Sequence, residues 1–377
     1  MSSPLPDPIA RLPGEWEEAL AAWGEPRFRA AQVFQWIHAR GVLDPEAMTN
    51  LPKRLRARLA EEGLAPPLAL TARHRAEDGT QKLLFALGDG RTIESVLIPQ
   101  GASGVEDPIG GEEPEPGARP STQCISTQVG CAMGCVFCAS GMAGLKRHLG
   151  AGEIVAQVLA GRALVGEGER LRNLVLMGMG EPLHNYDAVA RALRLFFHPE
   201  GIGLGTRRVT LSTSGLVPEI DRLARDFGGK VQLAISLHVP DDARRSELMP
   251  INRRYPLATL MDALRRYPLP PRRRITIEYT LVRGYNDALW DADALARLLH
   301  GLRVKVNLIP MNPVPDNPLG PPGWPVVEAF HDRLWERGVA TFVRRKKGDD
   351  IAAACGQLAL ANEPKKIRVP LPVVAGG

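Results

Sequence analysis

The residues most capable of chemistry lie in Cys131-Ala132-Met133-Gly134-Cys135-Val136-Phe137-Cys138, which holds three of the chain's five cysteines. Three residues and then two separate them. Thiolates this close on one loop can grip a single metal centre. Structural zinc takes four protein ligands, often as two separated C-x-x-C pairs, and no second pair exists in this sequence. Three thiolates with an aromatic just before the last suit a [4Fe–4S] cluster with one iron left open. An open iron can bind a substrate or cofactor. The competing readings are a small zinc site or three buried thiols.

Such a loop needs a rigid frame. The 377 residues, 44% hydrophobic and 24% charged, describe a globular protein with room for a large domain and a smaller one. No apolar run reaches the roughly 18 residues of a membrane-crossing helix. The start, MSSPLPDPIARLPGEWEE, lacks the apolar stretch of a secretory signal. An odd, clustered set of cysteines does not suit a secreted disulfide framework, so a reducing cytoplasm is expected. The formal net charge of +5 mildly favours a polyanionic partner.

Residues 14–65 read as helices. Trp16, Ala19, Leu20 and Trp23 recur at helical spacing, as do Leu51, Leu55 and Leu59, and Val33, Phe34, Trp36 and Ile37 fall largely together. Lys53, Arg54, Arg56 and Arg58 form a basic face, either solvated or in contact with RNA phosphate. The period changes over 71–99. Lys82–Leu87 and Thr92–Ile98 read as strands of a hairpin turned at Gly88-Asp-Gly90. Glu94 lies in the second strand. The stretch 100–121 is rich in Gly, Pro and Glu and reads as a mobile surface insertion.

Apolar, β-branched runs then alternate with helical patterns. The runs are Cys124–Gln128, Asn173–Met177, Val209–Ser212, Val231–His238, Ile275–Val282 and Val304–Pro310, with a last one at Val339–Val343. This alternation predicts a parallel α/β sheet, closed or partly closed as a barrel, with ligands at the carboxyl ends of its strands. The cysteine loop follows the first strand. Later strands end in Met177-Gly-Met-Gly-Glu-Pro182, Leu211-Ser-Thr-Ser-Gly215, Ser236-Leu-His238 and Ile309-Pro-Met-Asn312. Glycines admit a close backbone approach, and Glu181 offers a carboxylate to an ammonium. Arg344-Arg-Lys-Lys-Gly-Asp-Asp-Ile351 is a basic run near the C-terminus. Cys124 and Cys355 are isolated in sequence, and most isolated cysteines are small buried hydrophobes.

C-x3-C-x-aromatic-C resembles the signature of radical S-adenosylmethionine (SAM) enzymes. CISTQVGCAMGCVFCASG, MGMGEPLHNYD, RRVTLSTSG, AISLHVP, NLIPMNP and GDDIAAACGQL together resemble the RlmN/Cfr family of radical SAM RNA methyltransferases, with the RlmN branch the closer fit. FRAAQVFQWIHARGV and MTNLPKRLR look like that family's N-terminal RNA-binding helices. The resemblance covers nearly the whole chain except the insertion and the short tail after about residue 360.

The resemblance implies an α/β fold, a partial (β/α)6 radical-SAM barrel with a small N-terminal helical domain and a short β extension. Its divisions are 1–70 helical, 71–121 hairpin and insertion, 122–345 barrel, and 346–377 the C-terminal loop and tail. It implies a [4Fe–4S] cluster on Cys131, Cys135 and Cys138, and SAM bound by Gly180, Glu181, Ser212, Ser236, Leu237, His238 and Asn312. It also implies Cys355 as the methyl-carrying cysteine, Cys124 as its thiol partner in a disulfide during turnover, and Glu94 as proton acceptor. The implied partners are 23S ribosomal RNA, tRNA and an electron donor such as a flavodoxin or ferredoxin, with the protein a cytoplasmic monomer. The implied reaction methylates C2 of an adenosine, which in tRNA lies next to the anticodon. Cfr-like C8 methylation and a non-catalytic, metal-containing RNA-binding module are the alternatives.

Overall fold

The computed structural model describes residues 5–100, 118–315, 317–344 and 347–358. Ten strands make one sheet whose spatial order follows the chain. The first four are β1 (Leu68–Arg75), β2 (Gln81–Leu87), β3 (Thr92–Pro99) and β4 (Arg119–Cys124). They pair antiparallel. From β4 onward the pairing is parallel, through β5 (Glu169–Leu176), β6 (Val209–Thr213), β7 (Gln232–Ser236), β8 (Ile275–Leu281), β9 (Val304–Pro310) and the short β10 (Thr341–Val343). Helices cross between the parallel strands, which leaves most residues of those strands buried. Among the described residues β1 and β10 do not pair with each other, so the barrel is partial.

Several boundaries differ from the sequence reading, most by one to four residues at a strand end. The first parallel strand ends at Cys124 instead of starting there, because Val96 to Pro99 of β3 pair residues Ser121 to Cys124. Residues 119–121 therefore belong to the sheet; they carry no apolar pattern, so composition placed them in the insertion, of which 101–117 lie outside the described residues. The β extension has three strands, since Leu68–Arg75 joins the hairpin. It also starts before residue 70, so the helical part ends earlier than the expected division.

The N-terminal helices are α1 (Pro13–Ala22), α2 (Phe28–Phe34) and α3 (Lys53–Glu61). Trp16, Leu20, Val33, Phe34, Ile37, Leu55 and Leu59 are fully or almost fully buried, as the helical spacing requires. They join the same apolar core as the barrel strands. The basic face of α3 is largely tied up by carboxylates. Arg54 pairs with Glu25 at 2.7 Å, Arg56 with Glu46 at 3.1 Å and Arg58 with Glu61 at 3.1 Å. No helix among the described residues is long and apolar enough to cross a membrane.

Candidate active site

One cavity opens at the carboxyl ends of the parallel strands. Its wall includes all three clustered cysteines and Gly180, Glu181, Ser212, Ser236, His238 and Asn312. Cys355 lies on the same wall. Leu237 does not: its side chain is fully buried in the core, and its carbonyl accepts from Arg245 Nε at 3.0 Å. Glu94 is also absent from that wall. It sits on β3 and pairs with Lys82 Nζ at 3.2 Å. Lys82, Val96 and Cys124 lie opposite one another across β2, β3 and β4, so Glu94, two residues from Val96, shares their sheet face.

The cysteine loop is held from several sides. Val136 N donates to Leu248 O at 3.1 Å, and Ala139 N donates to Gly356 O at 2.8 Å. Burial pushes the Cys131 thiol up to about 12 and also raises Cys135 and Cys138, with neighbouring thiols adding to all three, Cys355 being the one that acts on Cys138. Thiols in such a place stay protonated unless a metal draws the proton off. Among the described residues no three Cys, His, Asp or Glu side chains converge on one point as a single ion requires. A cubane instead takes each thiolate at a separate iron corner, so three cysteines around one cavity fit a cluster better than a mononuclear zinc.

The opposite wall is built for a polar ligand. Glu181 is buried, and its carboxylate accepts from Leu183 N at 3.1 Å, Ser214 N at 2.8 Å and Ser214 Oγ at 2.9 Å. The Thr213 side chain also hydrogen-bonds this carboxylate, which has about four acceptor positions, so a ligand ammonium would have to share or displace one of these donors. Burial raises its pKa despite those bonds. Asn312 donates to Cys355 O at 3.0 Å, while its Oδ1 is buried without a partner. Glu278 Oε2 is likewise buried and unbonded on the same wall. Orphaned acceptors of this kind call for a ligand's donors, and SAM carries such donors in its ammonium, ribose hydroxyls and adenine amine.

His238 has φ +59°, rare for a side chain other than glycine. Its Nδ1 accepts from Thr280 N at 2.9 Å. Burial, then the charge of Arg245, lowers its pKa to about 3. The neutral ring therefore carries its proton on Nε2, and Phe137 packs edge-on at 4.9 Å. The glycines of Met177-Gly-Met-Gly serve the protein as much as a ligand. A β-carbon on Gly178 would lie 2.6 Å from Ile125 O, and one on Gly180 would lie 2.7 Å from Gln128 Cβ.

A second, smaller cavity adjoins the first. Cys124, Asn312, Arg344, Ala354 and Cys355 line it. Arg344, the first residue of the basic run near the C-terminus, stands in the wall of both cavities; Arg345 and Lys346 lie outside the described residues. All five cysteines are free thiols. Burial lifts Cys124 to about 12, nearby Cys355 adds to this, and Arg344 opposes it. Asp78 holds Gly348 N at 3.2 Å and Asp350 holds Glu77 N at 3.1 Å, fixing the loop of Cys355 across the barrel mouth. Arg245, Glu278 and Arg344 were not legible as site residues, because helices and strands carry many such charges and only the fold turns these inward.

Residues 125–296 match the Radical SAM superfamily, and residues 14–64 match the ribosomal RNA large subunit methyltransferase N-terminal domain. The chain is 61% identical to the dual-specificity RNA methyltransferase RlmN of Sorangium cellulosum (strain So ce56), over 97% of this chain and 98% of that one. It is 46% identical to the RlmN of Syntrophobacter fumaroxidans (strain DSM 10017 / MPOB), over 91% and 95%. A crystal structure of a radical SAM methyltransferase from Sphaerobacter thermophilus superposes with a TM-score of 0.85 at 47% identity, covering 94% of this chain and 99% of that one. The similarity thus runs along nearly the full length of these proteins, and the chain belongs to the RlmN family of radical SAM RNA methyltransferases.

Proposed function

We propose that this protein methylates C2 of an adenosine in 23S ribosomal RNA and in tRNA next to the anticodon, through a methyl group carried on Cys355. The observation that carries this is the position of Cys355 on the wall common to the two cavities, one with the cysteine triplet and the other with Cys124. C2 of adenine lies between two ring nitrogens and is electron-poor, so ordinary displacement by a nucleophilic carbon is closed to it. A carbon radical can add there.

In this reading Cys131, Cys135 and Cys138 hold the cluster, and Gly180, Glu181, Ser212, Ser236, His238 and Asn312 hold SAM. When bound, the cluster and SAM would supply the methyl group, the radical, and the acceptor for the one electron that the base must lose after radical addition. The protein's own groups do the rest. Asn312, bonded to the Cys355 carbonyl, fixes the carrier loop against the ligand wall. Glu94 accepts the C2 proton, with Lys82 beside it at 3.2 Å. Cys124 then attacks the Cys355 sulfur and forms a disulfide, and the electron pair of the broken carbon–sulfur bond stays with the base, which takes up a proton. That attack needs the Cys124 thiolate; burial opposes it and Arg344 favours it. The four divisions 1–70, 71–121, 122–345 and 346–377, adjusted at the strand boundaries, an electron donor of flavodoxin or ferredoxin type, a monomeric state and a cytoplasmic location belong to the same reading.

The test is mass spectrometry of nucleosides from ribosomal RNA and tRNA incubated with the reconstituted protein, SAM and a reductant. 2-Methyladenosine in both is expected. 8-Methyladenosine would move the protein to the Cfr type, and no methylated base would favour a non-catalytic RNA-binding role.

A further inference from the structure

Arg245 is the most deeply buried cation among the described residues around the site, with none of its surface exposed. It lies on the helix Asp242–Leu248, whose last carbonyl receives Val136 N of the cysteine loop at 3.1 Å. Its guanidinium fans out behind the cavity wall. Nη2 donates to Ser214 O at 2.8 Å and Ser236 O at 3.0 Å, Nε to Leu237 O at 3.0 Å, and Nη1 to Asn252 Oδ1 at 2.7 Å. Every one of these acceptors is neutral. The carboxylates of Glu181 and Asp242 are each one residue removed: Ser214 N reaches Glu181 at 2.8 Å, and Asn252 Nδ2 reaches Asp242 Oδ1 at 2.8 Å.

A buried charge without a direct counter-ion is costly. A chain that needed only to tie the ends of two strands to a helix could do so with neutral donors. A fixed positive charge behind Cys135, Ser214 and Ser236, all on the cavity wall, has a use where negative charge arrives during the reaction. Three thiolates bring negative charge to that wall, and an electron adds one unit more. Net charge and hydrogen bonding around such a centre set its potential.

We propose that Arg245 sets the reducibility of the centre held by Cys131, Cys135 and Cys138, its buried positive charge favouring the state that has gained an electron. The inference rests on the cluster reading above. Arg245 acts through the field it places on the cysteine loop, as a positioning residue with four of its five N–H donors already committed to the protein. The sign follows from electrostatics: reduction makes the centre more negative, so removing a nearby cation disfavours it and moves the potential down.

The experiment compares wild-type, Arg245→Gln and Arg245→Lys protein, reconstituted anaerobically and assayed for iron, sulfide and visible absorbance before SAM or RNA is added. Potentials are then read by spectroscopically monitored redox titration. Arg245→Gln is expected to lower the reduced-to-oxidised ratio at a fixed potential at least about tenfold, which for one electron is about 59 mV. Arg245→Lys keeps the charge and loses the fan of hydrogen bonds, so it should melt earlier yet titrate with the wild type. A wild-type potential in Arg245→Gln overturns the proposal. If the Gln variant does not accumulate folded with iron, Arg245→Lys decides: a wild-type potential supports the charge, and a tenfold loss of reducibility overturns it. Wild-type protein that takes up no iron and sulfide would defeat the cluster reading instead, before any potential is measured.

Discussion

Cys124, the last residue of β4, and Cys355, on the C-terminal loop, line one small cavity together, with Arg344 in the wall beside them. The pairing joins the first parallel strand to the chain beyond the last one. Arg344 feels both sulfurs: its own pKa is raised first by Cys355, with Glu278 and Cys124 adding to the effect. Two thiols and a guanidinium in one enclosure suit an exchange in which one sulfur must become a thiolate.

Gly180→Ala should unfold the ligand wall locally. The added carbon would sit 2.7 Å from Gln128 Cβ at a φ of +108°. Backbone strain alone costs about 1–3 kcal/mol, and displacing Gln128 removes its bond to Glu181 N, 2.9 Å long. Gly168→Ala, at φ +70° with nothing within 4 Å, is the control and should cost only the backbone term of about 1–2 kcal/mol. Thermal melting of the cofactor-free protein checks this; equal losses in both variants would mean that crowding at Gly180 is relieved cheaply.

Stability should fall with acid through His38. The ring is fully buried against Phe34 at 4.5 Å, and neither nitrogen has a partner. Burial, then His198, lowers its pKa from 6.5 to about 3. The unfolded chain binds a proton near 6.5 and the folded chain does not, so stability present above pH 6.5 is lost as pH falls towards 3. His38→Leu should flatten the melting curve between pH 6.5 and 4 and cost under about 1.5 kcal/mol at pH 7.5. A pH dependence parallel to wild type would clear His38, leaving His238, whose pKa is lowered in the same direction.

The basic face of α3 should divide by its ion pairs. Arg56 is held by Glu46 through both the carboxylate, at 3.1 Å, and the carbonyl, at 2.9 Å. Lys53 is exposed, and so is Lys347 of the C-terminal basic run, whose Nζ lies 3.9 Å from Asp78 at the outer limit of an ion pair. Lys53→Gln and Lys347→Gln are each expected to make the salt dependence of RNA binding shallower by about one unit, as a lost phosphate contact does. Arg56→Gln should leave it unchanged. Slopes from titrations at several salt concentrations decide, and a flat result for both lysines returns these segments to the solvated surface.

Glu278→Gln should stabilise the cofactor-free protein. Burial raises the Glu278 carboxyl, while Arg344 and Asn307 offset part of that. A raised folded pKa gives stability that is full below the unfolded pKa and lost as pH rises through the folded one. The amide keeps the Oε1 bond to Asn307, 3.1 Å, without the buried charge. Its advantage over wild type should grow between pH 5 and 8, to about 1–2 kcal/mol. A variant that loses stability as pH rises would contradict this.

Much of the frame was readable because most parallel strands carry a run of buried apolar residues, as Leu174–Leu176 and Leu308–Ile309 do. Val304–Pro310 was bounded as observed, and Val209 and Ile275 open their strands as read. β4 escaped because Arg-Pro-Ser-Thr-Gln-Cys is polar and its burial comes from neighbours on both sides. The cysteine triplet was legible from spacing, since local spacing survives folding. Glu94, Cys124 and Cys355 took their roles from resemblance alone, because their meeting depends on long-range register. Leu237 sits between Ser236 and His238 on the sequence, yet the sheet points its side chain away from the wall.

The carrier role of Cys355 is tested most directly by comparing Cys124→Ala with Cys355→Ala after turnover on RNA. Denaturing gels with and without nuclease report protein joined to RNA. The account predicts that Cys124→Ala accumulates a nuclease-sensitive adduct through Cys355, since nothing remains to resolve it, and that Cys355→Ala forms none. Free methylated RNA from Cys124→Ala at the wild-type rate, or identical behaviour of the two variants, would contradict it.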